Sequence, residues 1–241
     1  MRRCSVCGGE LSETAQFCGG CGATADGTAR PSQPLGDPRL AGRGLVIAGG
    51  VYLAFLVLCL LAVLTEMQVG DHWYDIVSAV VAVGGFAALG REALPPLGFP
   101  VLTGKGLLLT LISITTALLA STALSFVWPE WLSIRSLYVQ EGAGFAMAIV
   151  DFCVLAPVIE ELAFRGAILG GLARVFDRRA AIALSSFLFA TIHLSPISFV
   201  HLFLVGALCG TLRVRSKSLY PAMLAHSAYN AVVLALDWWV L

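Results

Sequence analysis

Glu160 and Glu161 stand side by side inside the apolar run from Val154 to Gly166. Two carboxylates in a lipid-embedded helix cost on the order of several kcal/mol unless a partner or water reaches them. Further along, His193 and the pair His226 and Asn230 interrupt other apolar stretches. A carboxylate beside imidazoles in a dry cavity can activate water as a general base. Asn230 and a second imidazole can donate hydrogen bonds to a developing oxyanion. Alternatively Glu160, His193 and His226 could hold a catalytic Zn²⁺ with an open fourth position. The chain has no His-Glu-x-x-His sequence, which excludes the common zincin site.

Helical spacing sorts these groups. Residues four apart share a helix face, and three such pairs recur: Glu161 with Arg165, Phe189 with His193, and His226 with Asn230. Glu161 and Arg165 are expected to form an intrahelical ion pair near the cytoplasmic end, with Arg165 reaching the headgroups. Glu160 is then rotated about 100° onto a face of its own. Pro157 removes a backbone hydrogen bond and is expected to kink the helix and make room for water. Asp151, nine residues before Glu160, points to the opposite face, and His201 is read as a helix-contact residue. Gly206 and Gly210 are read as a close-packing seam.

The elements that must position these groups are membrane helices. The 241 residues are 58% hydrophobic and 12% charged, with a mean hydropathy of +0.87, far from the charge content of a soluble domain. Several apolar blocks reach the roughly 18–25 residues that cross a bilayer. Spans are expected at about 44–66, 73–90, 106–128, 144–164, 180–195, 197–212 and 218–240, with residues 166–179 a short interfacial connector. With the N-terminus cytoplasmic and the spans alternating, fourteen of the fifteen Lys and Arg residues fall inside and only Arg135 falls outside. This bias supports an odd number of spans and a C-terminus outside. The topology sets His193 nearer the outer end of its segment, away from Glu160; a shallow or re-entrant fifth segment would remove the mismatch. Net charge is zero, so nucleic acid is not an expected partner. The first forty residues lack an apolar block, so no cleavable signal peptide is expected.

Residues 1–23 are polar and rich in Cys and Gly, residues 24–43 read as a flexible linker, and residues 44–241 as the transmembrane domain. Cys4, Cys7, Cys18 and Cys21 have the C-x2-C-x10-C-x2-C spacing of two knuckles sharing one tetrahedral zinc. A cytoplasmic location favours metal over disulfides, and a site made wholly of thiolates is structural. The unit resembles the short zinc ribbons at the N-termini of many bacterial membrane proteins, in Cys-x-x-Cys-Gly, the apolar Leu11 and Phe17-Cys18-x-x-Cys21-Gly22. Cys59, Cys153 and Cys209 are read as small core residues.

The sequences Glu160-Glu161-Leu162-Ala163-Phe164-Arg165-Gly166, Phe189-Ala190-Thr191-Ile192-His193 and His226-Ser227-Ala228-Tyr229-Asn230 resemble the three signature motifs of the CAAX-protease and bacteriocin-processing (CPBP) family. That family includes the type II CAAX endopeptidases. The resemblance covers about residues 140–235. It adds nothing to the first three spans or the zinc unit, which rest on the apolar blocks and the cysteine spacing; the expected architecture is an all-α polytopic membrane protein of about seven transmembrane helices with an N-terminal zinc ribbon. The resemblance implies an intramembrane endopeptidase in which Glu160 activates water and His193 is its partner. By the same resemblance Glu161 and Arg165 are the supporting pair. His226 and Asn230 serve metal binding or transition-state stabilisation, since the family has been described both as metalloprotease and as metal-free glutamate protease.

The expected substrate is a membrane-anchored protein or peptide, cut near the cytoplasmic face of the cell membrane. Two other readings stand beside this one. A catalytically silent scaffold or immunity-type protein could recruit partners through the ribbon, but it has no reason to keep polar groups in lipid. A proton relay or transporter would be favoured by inverted repeats, and none is found.

Overall fold

The computed structural model describes residues 2–3, 10–11, 41–65, 73–89, 115 and 133–239, and the chain divides into two units, Met1–Gln33 and Pro34–Leu241. In the first unit β1 (Arg2–Arg3) pairs antiparallel with β2 (Glu10–Leu11), in the register Arg2 to Leu11 and Arg3 to Glu10. These strands flank the stretch carrying Cys4 and Cys7. The four ribbon cysteines, most of the linker and all of the third expected span except Thr115 lie outside the described residues.

The regular elements described in the second unit are helices: α1 (Ala41–Leu64), α2 (Trp73–Leu89), α3 (Ile134–Gln140), α4 (residues 145–172), α5 (Arg178–Ile192), α6 (Phe199–Ser216) and α7 (Tyr220–Trp239). The expected linker thus ends early, because Ala41, Gly42 and Arg43 already form the first turn of α1. Both α1 and α6 are long and apolar enough to cross a membrane, and α2 is a shorter apolar helix. α5 has 15 residues, a rise of about 22 Å against a hydrocarbon core of about 30 Å.

α4 carries both glutamates and is irregular. α-Helical turns at Phe145–Ala148, Ala156–Glu161 and Leu169–Leu172 alternate with π-helical turns at Ile149–Leu155 and Leu162–Ile168, without a break. Pro157 sits just after the first π turn, where the Ala156 N–H reaches back to the Asp151 carbonyl. The span expected to end at 164 instead continues to Leu172. Residues 166–172 are buried helix rather than an interfacial connector. Their sequence is apolar and small, which lets α1 approach closely. A Cβ on Gly171 would fall on the Gly44 carbonyl oxygen and 2.9 Å from the Ala48 Cβ.

Because the obstacle at Gly171 is backbone, it cannot rotate away. Gly171→Ala is expected to lower the melting midpoint in detergent, by about 1–3 kcal/mol of stability. Gly49→Ala, where a Cβ meets nothing within 4 Å, should leave it unchanged or raise it by up to about 1 kcal/mol. A Gly171→Ala protein melting at or above wild type would show that the two helices are not held at this distance.

Both ends of the bundle are tied by charge. Arg43 and Arg174 donate to the last carbonyls of α2, Ala88 (2.7 Å) and Leu89 (2.8 Å), where unpaired C=O groups and the negative end of the helix dipole favour cations. Elsewhere Asp237 of α7 accepts from the Ser133 hydroxyl (3.1 Å) and the Arg135 amide (2.7 Å), fixing the start of α3. Asp177 caps α5 through the amides of Arg179 and Ala180. The core between these ends stacks Phe55 on Phe164 and Phe164 on Phe189, with edge-to-face centroid separations of 5.9 and 5.3 Å. Gly206 and Gly210 line the α5–α6 seam: a Cβ there would lie 3.0 Å from Ser186 Cα and 3.1 Å from Ile182 Cγ2.

Candidate active site

The first motif places its two carboxylates in different surroundings. Glu161 is wholly buried, whereas the Glu160 side chain keeps 20% of its surface open. Glu161 Oε1 lies 3.1 Å from Arg165 Nη1, one helical step of four away. Arg165 does not reach the headgroups as expected from its place near a span end. It is fully buried, and its guanidinium lies 4.3 Å from the centre of the Phe189 ring. The reason is the continuation of α4: with seven more buried residues after Arg165, Gly166 to Leu172, the span no longer ends there. An ion pair thus deprived of water is held by a cation–π contact as well as by charge.

α7 brings in the third motif. His226 Nδ1 lies 2.9 Å from Glu161 Oε1. A carboxylate can only accept, so Nδ1 carries the proton and donates. Nε2 is then directed to Glu160, 3.7 Å from Oε2. One polar chain therefore runs Arg165–Glu161–His226–Glu160, from a buried cation to a partly open carboxylate. Asn230, a turn later on α7, donates from Nδ2 to the Phe152 carbonyl of α4 at 2.7 Å.

The second motif ends α5. His193 is the C-cap residue, and its Nδ1 donates to the Phe189 carbonyl at 2.8 Å. That bond fixes the tautomer and leaves Nε2 of the neutral ring with its lone pair. Leu194 follows with φ of 52°, a left-handed conformation costing a side-chain-bearing residue about 1–2 kcal/mol. Helices end this way at glycine more often, so the turn after His193 is strained. Phe189 ties this end to the rest. Its ring meets His193 edge-on at 4.9 Å and His226 at 5.7 Å. Cys59 Sγ of α1 and Tyr74 Oη of α2 lie 3.3 Å apart and join those two helices.

A catalytic metal would need three donors that converge. Glu160 and His226 are close enough to share an ion. His193 does not complete a three-ligand group with them. Among the described residues the His, Cys, Asp and Glu atoms that gather within 4.8 Å are those of Glu161, Cys209 and His226. There the Arg165 guanidinium already neutralises Glu161, and a divalent cation would be repelled. Among the described residues neither set fits a catalytic zinc.

Cys209 is a small core residue, as its apolar setting suggests, but its neighbours belong to the candidate site. It is fully buried, sits beside Glu161 and His226, and places its thiol 3.8 Å from the Ala222 carbonyl. A single cysteine in an apolar helix carries no signal that distinguishes it from Cys153. Asp151 accepts from the Tyr138 hydroxyl at 3.4 Å, and His201 is buried within α6.

Searches among curated proteins and solved structures found no match. A family model does match, over residues 142–232, and its description is Type II CAAX prenyl endopeptidase Rce1-like. That stretch runs from the start of α4 through most of α7 and contains Glu160, Glu161, Arg165, His193, His226 and Asn230. Residues 142–232 are therefore similar to the Rce1-like type II CAAX prenyl endopeptidases, the family that the three motifs resemble.

Proposed function

We propose that the chain is an intramembrane endopeptidase that hydrolyses a peptide bond in a membrane-anchored protein or peptide. The observation that carries this reading is the polar chain ending on Glu160, a partly open carboxylate with an oriented imidazole nitrogen 3.7 Å away. A scaffold gains nothing from keeping such a carboxylate open beside a directed lone pair.

In this mechanism Glu160 takes a proton from water, and the hydroxide adds to the scissile carbonyl carbon. His193, with Nδ1 committed to Phe189, accepts a hydrogen bond from the attacking water through Nε2. His226, when protonated at Nε2, donates to the oxyanion while Glu161 stabilises the imidazolium through Nδ1. Glu160 then returns its proton to the amide nitrogen as the C–N bond breaks, leaving a carboxylic acid and an amine. Asn230 supports the constellation from the next turn of α7. Cys4, Cys7, Cys18 and Cys21 hold a structural zinc, and the ribbon docks substrate or a regulator. The N-terminus and ribbon face the cytoplasm and the C-terminus lies outside.

The test is cleavage of quenched-fluorescent, membrane-anchored peptides by the purified full chain in detergent, wild type against Glu160→Gln. Loss of cleavage in the variant is the expected result. Equal cleavage by both would remove Glu160 from the chemistry and favour a silent scaffold. A chelator is expected to leave the rate of a Cys4→Ser/Cys18→Ser variant unchanged; inhibition there would point to a second, catalytic metal.

A further inference from the structure

Pro157 leaves a gap in the hydrogen bonding of α4. In the π-helical register before it, the N–H of each residue reaches five positions back, as Ala156 does to Asp151. The next such bond would run from residue 157 to the carbonyl of Phe152, but proline has no N–H. An acceptor left bare in an apolar interior costs about 1–3 kcal/mol. This carbonyl is not bare: the Asn230 side chain, almost fully buried on α7, donates to it at 2.7 Å.

We propose that Asn230 is a positioning residue, whose side-chain N–H stands in for the backbone N–H that Pro157 lacks and so fixes the segment of α4 that presents Glu160. Four residues earlier on the same face of α7, His226 grips Glu161. α7 therefore holds α4 on both sides of the proline: before it at Phe152, after it at Glu161. Glu160 sits in the turn between the proline and the second contact, so its direction is set by both. This assignment rests on the endopeptidase reading for its catalytic consequence, and its structural core does not. It differs from a role for Asn230 as an oxyanion donor, because the amide is directed at a backbone carbonyl of its own protein.

The experiment is a double-mutant cycle between positions 157 and 230 in the full-length protein. It has one readout that needs no substrate. Pro157→Ala restores a backbone N–H that, in the π register of Ala156 to Asp151, donates to the Phe152 carbonyl. Asn230→Ala alone is expected to lower the melting midpoint, and combined with Pro157→Ala it should cost less than half as much. Equal losses in the two backgrounds, whether or not the protein is a peptidase, would overturn the substitution of one donor for the other. If Asn230→Ala cannot be purified folded, the near-isosteric Asn230→Leu serves in the same cycle.

The second readout is turnover. Asn230→Ala is expected to lower kcat about 10-fold or more with KM nearly unchanged, as a misdirected general base would. Adding Pro157→Ala should recover most of that loss. Recovery of the melting midpoint without recovery of kcat would overturn the positioning role, since a donor to the oxyanion cannot be replaced by a backbone N–H inside α4.

Discussion

Glu160→Gln is expected to lower kcat by about 10²–10⁴-fold, the contribution of a positioned general base, with little change in KM. Glutamine keeps the shape and removes only the basicity. The side chain is partly open and reaches one neighbour at 3.7 Å, so folding should be untouched and the melting midpoint equal to wild type. That separates it from Glu161→Gln, which alters a fully buried group bonded to both Arg165 and His226. The check is steady-state cleavage of anchored peptides beside a thermal melt on the same preparation. A Glu160→Gln protein that turns over at one tenth of the wild-type rate or faster would place the base elsewhere.

Arg165→Met carries the largest expected cost in stability. The guanidinium is buried against Phe189 and pairs with a carboxylate that has no exposed surface. Removing it leaves Glu161 bonded to His226 but without its cation in an apolar core. Breaking a buried pair in this way costs about 3–5 kcal/mol, most of it the penalty of the orphaned charge. The sign of that explanation can be tested directly. Glu161→Gln in the same chain removes the orphaned charge, so the double variant should be more stable than Arg165→Met alone. A double variant less stable than either single one would mean that Arg165 acts through packing on Phe189 rather than through charge. Thermal or denaturant unfolding in detergent, followed by circular dichroism, decides between them.

Most of the described helices, and the polar residues that gather between them, are legible in the sequence because apolar block length and the cost of intramembrane charge are both written locally. Glu160, Glu161, His193, His226 and Asn230 each stood out as a polar residue where lipid or core was expected. What was not legible depends on contacts between distant segments. The end of α4 was misplaced because Gly166–Leu172, short and followed by Arg174, looks interfacial until Gly44 of α1 is packed on Gly171. The same continuation of α4 keeps Arg165 buried rather than at the headgroups. The π turns on either side of Ala156–Glu161 leave no compositional mark. Pro157 announces a missing bond, but only the fold reveals that Asn230, 78 positions away from Phe152, supplies one.

Phe189 gives this site an internal clock. Its ring has no exposed surface and is enclosed by Phe164, His193, His226 and the Arg165 guanidinium. In an interior packed like a crystal, an aromatic ring can turn over only when its neighbours move apart. Those neighbours come from α4, from its own helix and from α7, the three elements that carry the candidate site residues. The flip rate of Phe189, read by NMR on a selectively labelled ring, would therefore count how often the site breathes, before any substrate is known.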